Sequence, residues 1–133
     1  DHASLQVALA AACPKGIDGH FENVGGVVLD EVMQQANAFA RIAMCGMIAG
    51  YNGEPIPMAD PKLILTQRMK VQGFIVSEHL PLWPQALAEL GERVATGKLK
   101  YRETMAQGIE SAPDAFIGLL KGRNFGKQLV KLV

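Results

Sequence analysis

The sequence predicts an α/β fold with a mostly parallel sheet, and three observations carry that prediction. Short apolar runs alternate along the chain with stretches of helical period. The run at residues 40–47 is apolar on both faces, as in a strand covered by helices on either side. Glycine or proline falls at the changeovers, as at Gly25-Gly26 and Gly97.

Taken in order, residues 4–13 are rich in Ala and Leu and run into Pro14-Lys15-Gly16, which reads as a helix and its stop. Residues 17–24 read as a strand ending at Gly25-Gly26. Leu29, Val32, Met33 and Ala36 then fall at i, i+3, i+4 and i+7, one face of a helix. The apolar strand at 40–47 follows. Residues 49–61, with Gly50, Asn52, Gly53, Pro55, Pro57 and Pro61, read as a long irregular connection, and loops of that kind often carry function. A short helix is predicted at 62–69 and a second apolar strand at 71–77. Trp83, Leu87, Leu90 and Val94 recur at spacings of 4, 3 and 4, a single stripe on a helix that stops at Gly97. A strand-like piece surrounds Tyr101. Ser111 is placed to cap a final helix with Pro113 in its first turn, Phe116, Leu119 and Leu120 on the buried face and Gly122 at its end; residues 129–133 close as a strand.

At 133 residues and 49% hydrophobic, the chain can bury roughly two thirds of its unfolded surface, enough for a core without disulfides or metal. Thirteen Lys+Arg balance thirteen Asp+Glu, so the basic excess that nucleic-acid binding needs is missing, and no nucleic-acid partner is expected. Cys13 and Cys45 are far apart and in no CxxC pair, which fits a reducing compartment and predicts a cytoplasmic protein. Apolar runs such as residues 7–13 fall short of the ~20 residues of a membrane span, so no membrane association is expected, and residues 1–4 do not read as a signal peptide. Without an initiator Met, the chain reads as a piece of something longer.

In a parallel α/β sheet, ligands sit beyond the carboxyl ends of the strands, which singles out residues 23–26, 45–51 and 74–78. Gly25-Gly26 serves either a ligand's close approach or simply the turn into the helix. His2, His20 and His79 share no ligand spacing with one another or with the cysteines, and no metal is expected. Cys45 reads as a structural thiol rather than a nucleophile, and no GxSxG elbow supports a hydrolase. The stretch 122–127, Gly-Arg-Asn-Phe-Gly-Lys, is equally a phosphate cradle or a helix stop. A GxGxxG turn followed by an acidic residue about twenty positions later is absent, so the residues alone reach half of an α/β nucleotide-binding domain.

Three blocks carry a resemblance: Phe21-Glu22-Asn23-Val24-Gly25-Gly26, residues 40–52 (Ala-Arg-Ile-Ala-Met-Cys-Gly-Met-Ile-Ala-Gly-Tyr-Asn) and residues 69–76 (Met-Lys-Val-Gln-Gly-Phe-Ile-Val). They resemble the zinc-independent medium-chain dehydrogenase/reductases, in the branch of prostaglandin, alkenal and curcumin reductases. Residues 100–103, 112–116 and 119–127 are similar to that branch's C-terminus. The resemblance implies the C-terminal half of a Rossmann-type dinucleotide-binding domain over residues 1–98. It also implies a C-terminal segment, 99–133, that returns toward a substrate domain absent from this chain. It implies NADP as cofactor and an enzyme that reduces the carbon-carbon double bond of small enals and enones by hydride transfer, with this fragment alone inactive.

By the same resemblance Asn23 contacts the cofactor, Cys45, Gly46, Met47, Ile48, Ala49, Gly50 and Tyr51 line it, Phe74, Ile75 and Val76 wall the nicotinamide, and Asn124 makes a further contact. Some relatives carry a tyrosine where this chain has Thr66, and no proton donor is assigned. A homodimer is expected, because an interior strand near residues 17–24 becomes an edge and the family pairs the strand at 71–77 across a two-fold axis. Two other readings stand beside this one: a noncatalytic module that binds a nucleotide or a partner, and a quinone reductase of the same superfamily.

Overall fold

The computed structural model describes residues 2–53 and 55–133, the side chain of His2 excepted, in two compact units that divide between Glu78 and His79. The first unit opens with helix α1 (His2–Ala12), strand β1 (Ile17–Glu22), helix α2 (Gly26–Gln34) and strand β2 (Ala36–Met44). A 3-10 turn (Ile48–Gly50), a loop, the short helix α3 (Lys62–Thr66) and strand β3 (Lys70–Gly73) complete it. The sheet has the order β1-β2-β3, and both of its pairings are parallel, as the non-alternating strands predict. The second unit holds helix α4 (Trp83–Ala95), strand β4 (Glu103–Gln107), helix α5 (Ala112–Leu120) and strand β5 (Lys127–Lys131), with β4 and β5 paired in parallel. A 3-10 segment (Val76–Leu82) spans the boundary.

The core of the first unit forms where α2 lies on the sheet. Leu29 and Met33 from the helix meet Ala36, Ala40 and Ile42 of β2, and Met69 closes the cluster. Met33 is 1% exposed. Its unbranched side chain fills the gap between helix and strand that a rigid residue would leave.

The helical stripe holds through Met33, but Ala36 already belongs to β2. The chain leaves the helix at Gln35, whose carbonyl accepts from the Ile17 amide at 3.0 Å, so β2 starts earlier than residue 40. The ladder then slips. Ile17 faces Ala36 but Gly19 faces Arg41, and Phe39 takes up the surplus length with a φ of 67°.

Both apolar strands also end sooner than expected. β2 stops at Met44 and β3 at Gly73, because the ladder runs out of partners: β1 ends at Glu22, opposite Met44, which is itself opposite Gly73. Phe74 keeps one bond, its amide donating to the Met44 carbonyl at 3.1 Å, and Ile75 and Val76 lie exposed beyond the strand.

In the second unit the strand predicted around Tyr101 begins two residues later, at Glu103. Helix α5 buries Gly118 rather than Phe116, which is exposed, while Leu119 and Leu120 are half-buried. The two five-residue strands it lies against are too small a surface to cover a phenyl ring as well. Ser111 precedes the helix, but its hydroxyl donates back to the Gly108 carbonyl at 2.7 Å instead of capping forward.

Candidate functional site

The three strands of the first unit deliver their carboxyl ends to one place, and backbone hydrogen bonds lace the segments that leave them. The amides of Cys45 and Gly46 donate to the Glu22 carbonyl at 2.9 and 3.1 Å. Further along, the Ile48 amide donates to the Asn23 carbonyl at 3.1 Å and the Ala49 amide to that of Val24 at 3.0 Å. The turn after β1 and the turn after β2 are thereby one structure. Phe74, leaving β3, joins them by packing edge-on against Phe21, with ring centroids 5.9 Å apart at 65°. Such a T-shaped pair contributes about 0.5–1.5 kcal/mol beyond its buried area.

Gly46 is the pivot of this surface. A Cβ built there would stand 3.2 Å from both the Asn23 side-chain oxygen and the Tyr51 hydroxyl. The two polar groups therefore flank a position where the backbone has no side chain. Gly25 serves a different purpose: with φ 77° and ψ −169° it adopts a conformation nearly reserved for glycine. Ile56 fills the space beneath, with its Cδ1 2.9 Å from where a Gly25 Cβ would be and 3.1 Å from the same point on Gly50. The loop that carries Ile56 is fastened to α2 by the Ala59 amide, which donates to Asp30 at 2.9 Å.

Asn23, Cys45, Gly46, Met47, Ile48, Ala49, Gly50, Tyr51 and Phe74 thus gather at one end of the sheet, with Ile75 and Val76 next along the chain. Asn23 and Tyr51 are exposed there, as are Ile75 and Val76. Asn124 lies in the second unit, where its side-chain amide donates to the Gly126 carbonyl at 2.7 Å across a tight turn. A groove of about 260 Å³ between α5 and the β4-β5 pair is lined by Thr104, Met105, Asp114 and Arg123 among others, and holds none of the expected site residues.

Two residues escaped the sequence reading. Ile56 had a signal, as a β-branched apolar residue held between two prolines. Glu22 had none, since a strand-end glutamate is ordinarily solvated. Here it is fully buried, and its Oε1 accepts from the Val24 and Gly25 amides at 2.5 and 2.9 Å. Burial pushes its pKa up, but the two backbone amides, together with His20 at 3.2 Å from Oε2, outweigh that and hold the carboxyl below its ordinary value.

In open α/β sheets, ligands bind in the crevice beyond the carboxyl ends of the strands, where these candidate residues collect. The structure of CurA from Vibrio vulnificus in complex with NADPH matches the chain with a TM-score of 0.80 and 43% identity, over 96% of this chain and 40% of CurA. No family model matches the chain. Its homologues are NADP-dependent oxidoreductases, as the sequence resemblance implied. The NADPH-dependent curcumin reductase of Escherichia coli is 42% identical over 93% of this chain and 38% of its own length. The NADP(+)-dependent 2-alkenal reductase of Nicotiana tabacum is 41% identical over 98% of this chain and 38% of its own. The chain spans about two fifths of the length of the curated relatives it matches. Among the described residues no helix is long and apolar enough to cross a membrane.

Proposed function

We propose that this chain is the cofactor-side portion of an NADPH-dependent reductase acting on the carbon-carbon double bond of α,β-unsaturated aldehydes and ketones. The observation that carries the reading is the convergence of Asn23, Gly46, Tyr51 and Phe74 at the end of a parallel sheet, in a chain 41–43% identical to a 2-alkenal reductase, a curcumin reductase and an NADPH-bound CurA. The donor set fits an uncharged part of a dinucleotide. It consists of a carboxamide, a phenol, exposed backbone beside a glycine, and an aromatic edge, with no cation on residues 45–51 or 74–76.

When bound, NADPH supplies a hydride, and the protein's contribution is binding, orientation and exclusion of water. Asn23 and Tyr51 hydrogen-bond the cofactor, Gly46 lets the main chain approach it, and Cys45, Met47, Ile48, Ala49 and Gly50 line it. Phe74, held by Phe21, starts an apolar wall that Ile75 and Val76 extend, and such a wall lowers the local dielectric around the reacting carbons. Asn124 is a further cofactor contact by the same resemblance. The full-length enzyme works in the cytoplasm as a homodimer, paired through β3, the edge strand that the resemblance places on a two-fold axis.

Tyr51→Phe and Asn23→Ala test the assignment directly. Each removes one neutral hydrogen bond worth about 0.5–1.5 kcal/mol, so the Kd for NADPH, read by its fluorescence in the full-length protein, rises about two- to tenfold. Unchanged affinity in both variants would refute the site.

A further inference from the structure

The geometry points to Glu22 as a positioning residue, one that fixes the turn bearing Asn23 and closes the start of α2 to anions. This inference rests on the functional reading above. Glu22 is 0% exposed, and burying a carboxylate is costly unless it is well bonded. A strand end beside a helix core could hold an apolar residue at no such cost. What the carboxylate obtains instead is control of a turn.

Both amides of the turn donate to one oxygen, Oε1, and His20 Nε2 lies 3.2 Å from the other. The carbonyls of Asn23 and Val24 are taken by the Ile48 and Ala49 amides. These backbone groups of residues 23–25 are therefore directed into the protein, and the Asn23 side chain is left as the polar group facing outward. Glu22 is what turns the amides inward. Without it the turn loses the acceptor that sets its orientation, and Asn23 is no longer held beside Gly46.

The same contacts bear on ligand chemistry. α2 starts at Gly26, with Gly25 as its cap and no side-chain cap bond, so its free amides would ordinarily attract a phosphate. Glu22 places the chain's own negative charge against that end of the helix. The turn is thereby reserved for an uncharged part of the cofactor, with the phosphates held elsewhere.

Glu22→Ala and Glu22→Gln in the full-length protein test this, with NADPH Kd, steady-state kinetics and hydrogen exchange of residues 24–25 as readouts. Glutamine keeps an acceptor oxygen for both amides, so its Kd stays within about threefold of wild type. Alanine strands two amides: the Kd and the KM for NADPH rise about tenfold, kcat at saturating NADPH holds within about twofold, and exchange at residues 24–25 accelerates. If alanine prevents folding, Glu22→Asp, one methylene too short, carries the same expectation. Wild-type Kd in the alanine or aspartate variant despite faster exchange overturns the inference, as does a loss in Glu22→Gln equal to that in Glu22→Ala. Failure of the wild-type protein to bind NADPH overturns the functional reading and this inference with it.

Discussion

Replacing Gly25 by alanine strikes the turn at its most constrained point. Its φ of 77° and ψ of −169° lie where a residue with a Cβ pays about 1–3 kcal/mol in backbone strain. The new Cβ would also stand 2.9 Å from Ile56 Cδ1 and 3.3 Å from Met47 Cε. Both are ends of flexible side chains that can move, so overpacking adds about 1 kcal/mol, the low end for such insertions. The expected loss is about 2–4 kcal/mol, measured by urea unfolding of the full-length protein. Gly53→Ala provides the control: φ is 85°, but nothing lies within 4 Å of its Cβ, so strain alone applies, at about 1–2 kcal/mol. A Gly25→Ala protein no less stable than Gly53→Ala would refute the packing of Ile56 beneath the turn.

Two further expectations concern pH and assembly. Glu22 has a folded pKa below its unfolded value of 4.5, so its contribution is complete above that value and is lost as pH falls through the lower folded pKa. Acid unfolding of wild type should therefore show a loss of stability below about pH 5 that Glu22→Gln lacks; identical acid limbs would contradict the bonding described for the carboxylate. If the proposed pairing through the edge strand β3 holds, sedimentation equilibrium of the full-length protein gives twice the monomer mass, and a monomer at micromolar concentration would defeat that reading.

The fold was legible where periodicity is strong. The stripe of α2 and the apolar run of β2 declare a helix lying on a parallel sheet, but β2 is not covered on both faces as its run suggests: Arg41 is exposed between the buried Ala40 and Ile42. Strand ends were less legible. The apolar runs continue to Met47 and Val76, while the ladder stops at Met44 and Gly73 for want of partners, and partner availability is a tertiary property. The strand-end rule was enough to collect Asn23, residues 45–51 and Phe74, since it needs only the order of elements. Glu22 stayed hidden because its burial comes from a turn folding back over it. Phe116 misled for the opposite reason: a helical stripe marks a face that some surface covers, and the two strands beneath α5 are too small to do so.

NADPH oxidation by the full-length protein is the most direct test of the proposed double-bond reduction. The full-length protein is assayed for NADPH oxidation with a medium-chain 2-alkenal, with NADH as alternative donor and a saturated alcohol plus NADP⁺ as controls. Turnover with NADPH and the alkenal, and none with the alcohol, is the predicted result. Inactivity on the alkenal together with activity on quinones or alcohols would leave the fold intact and contradict the proposed reaction.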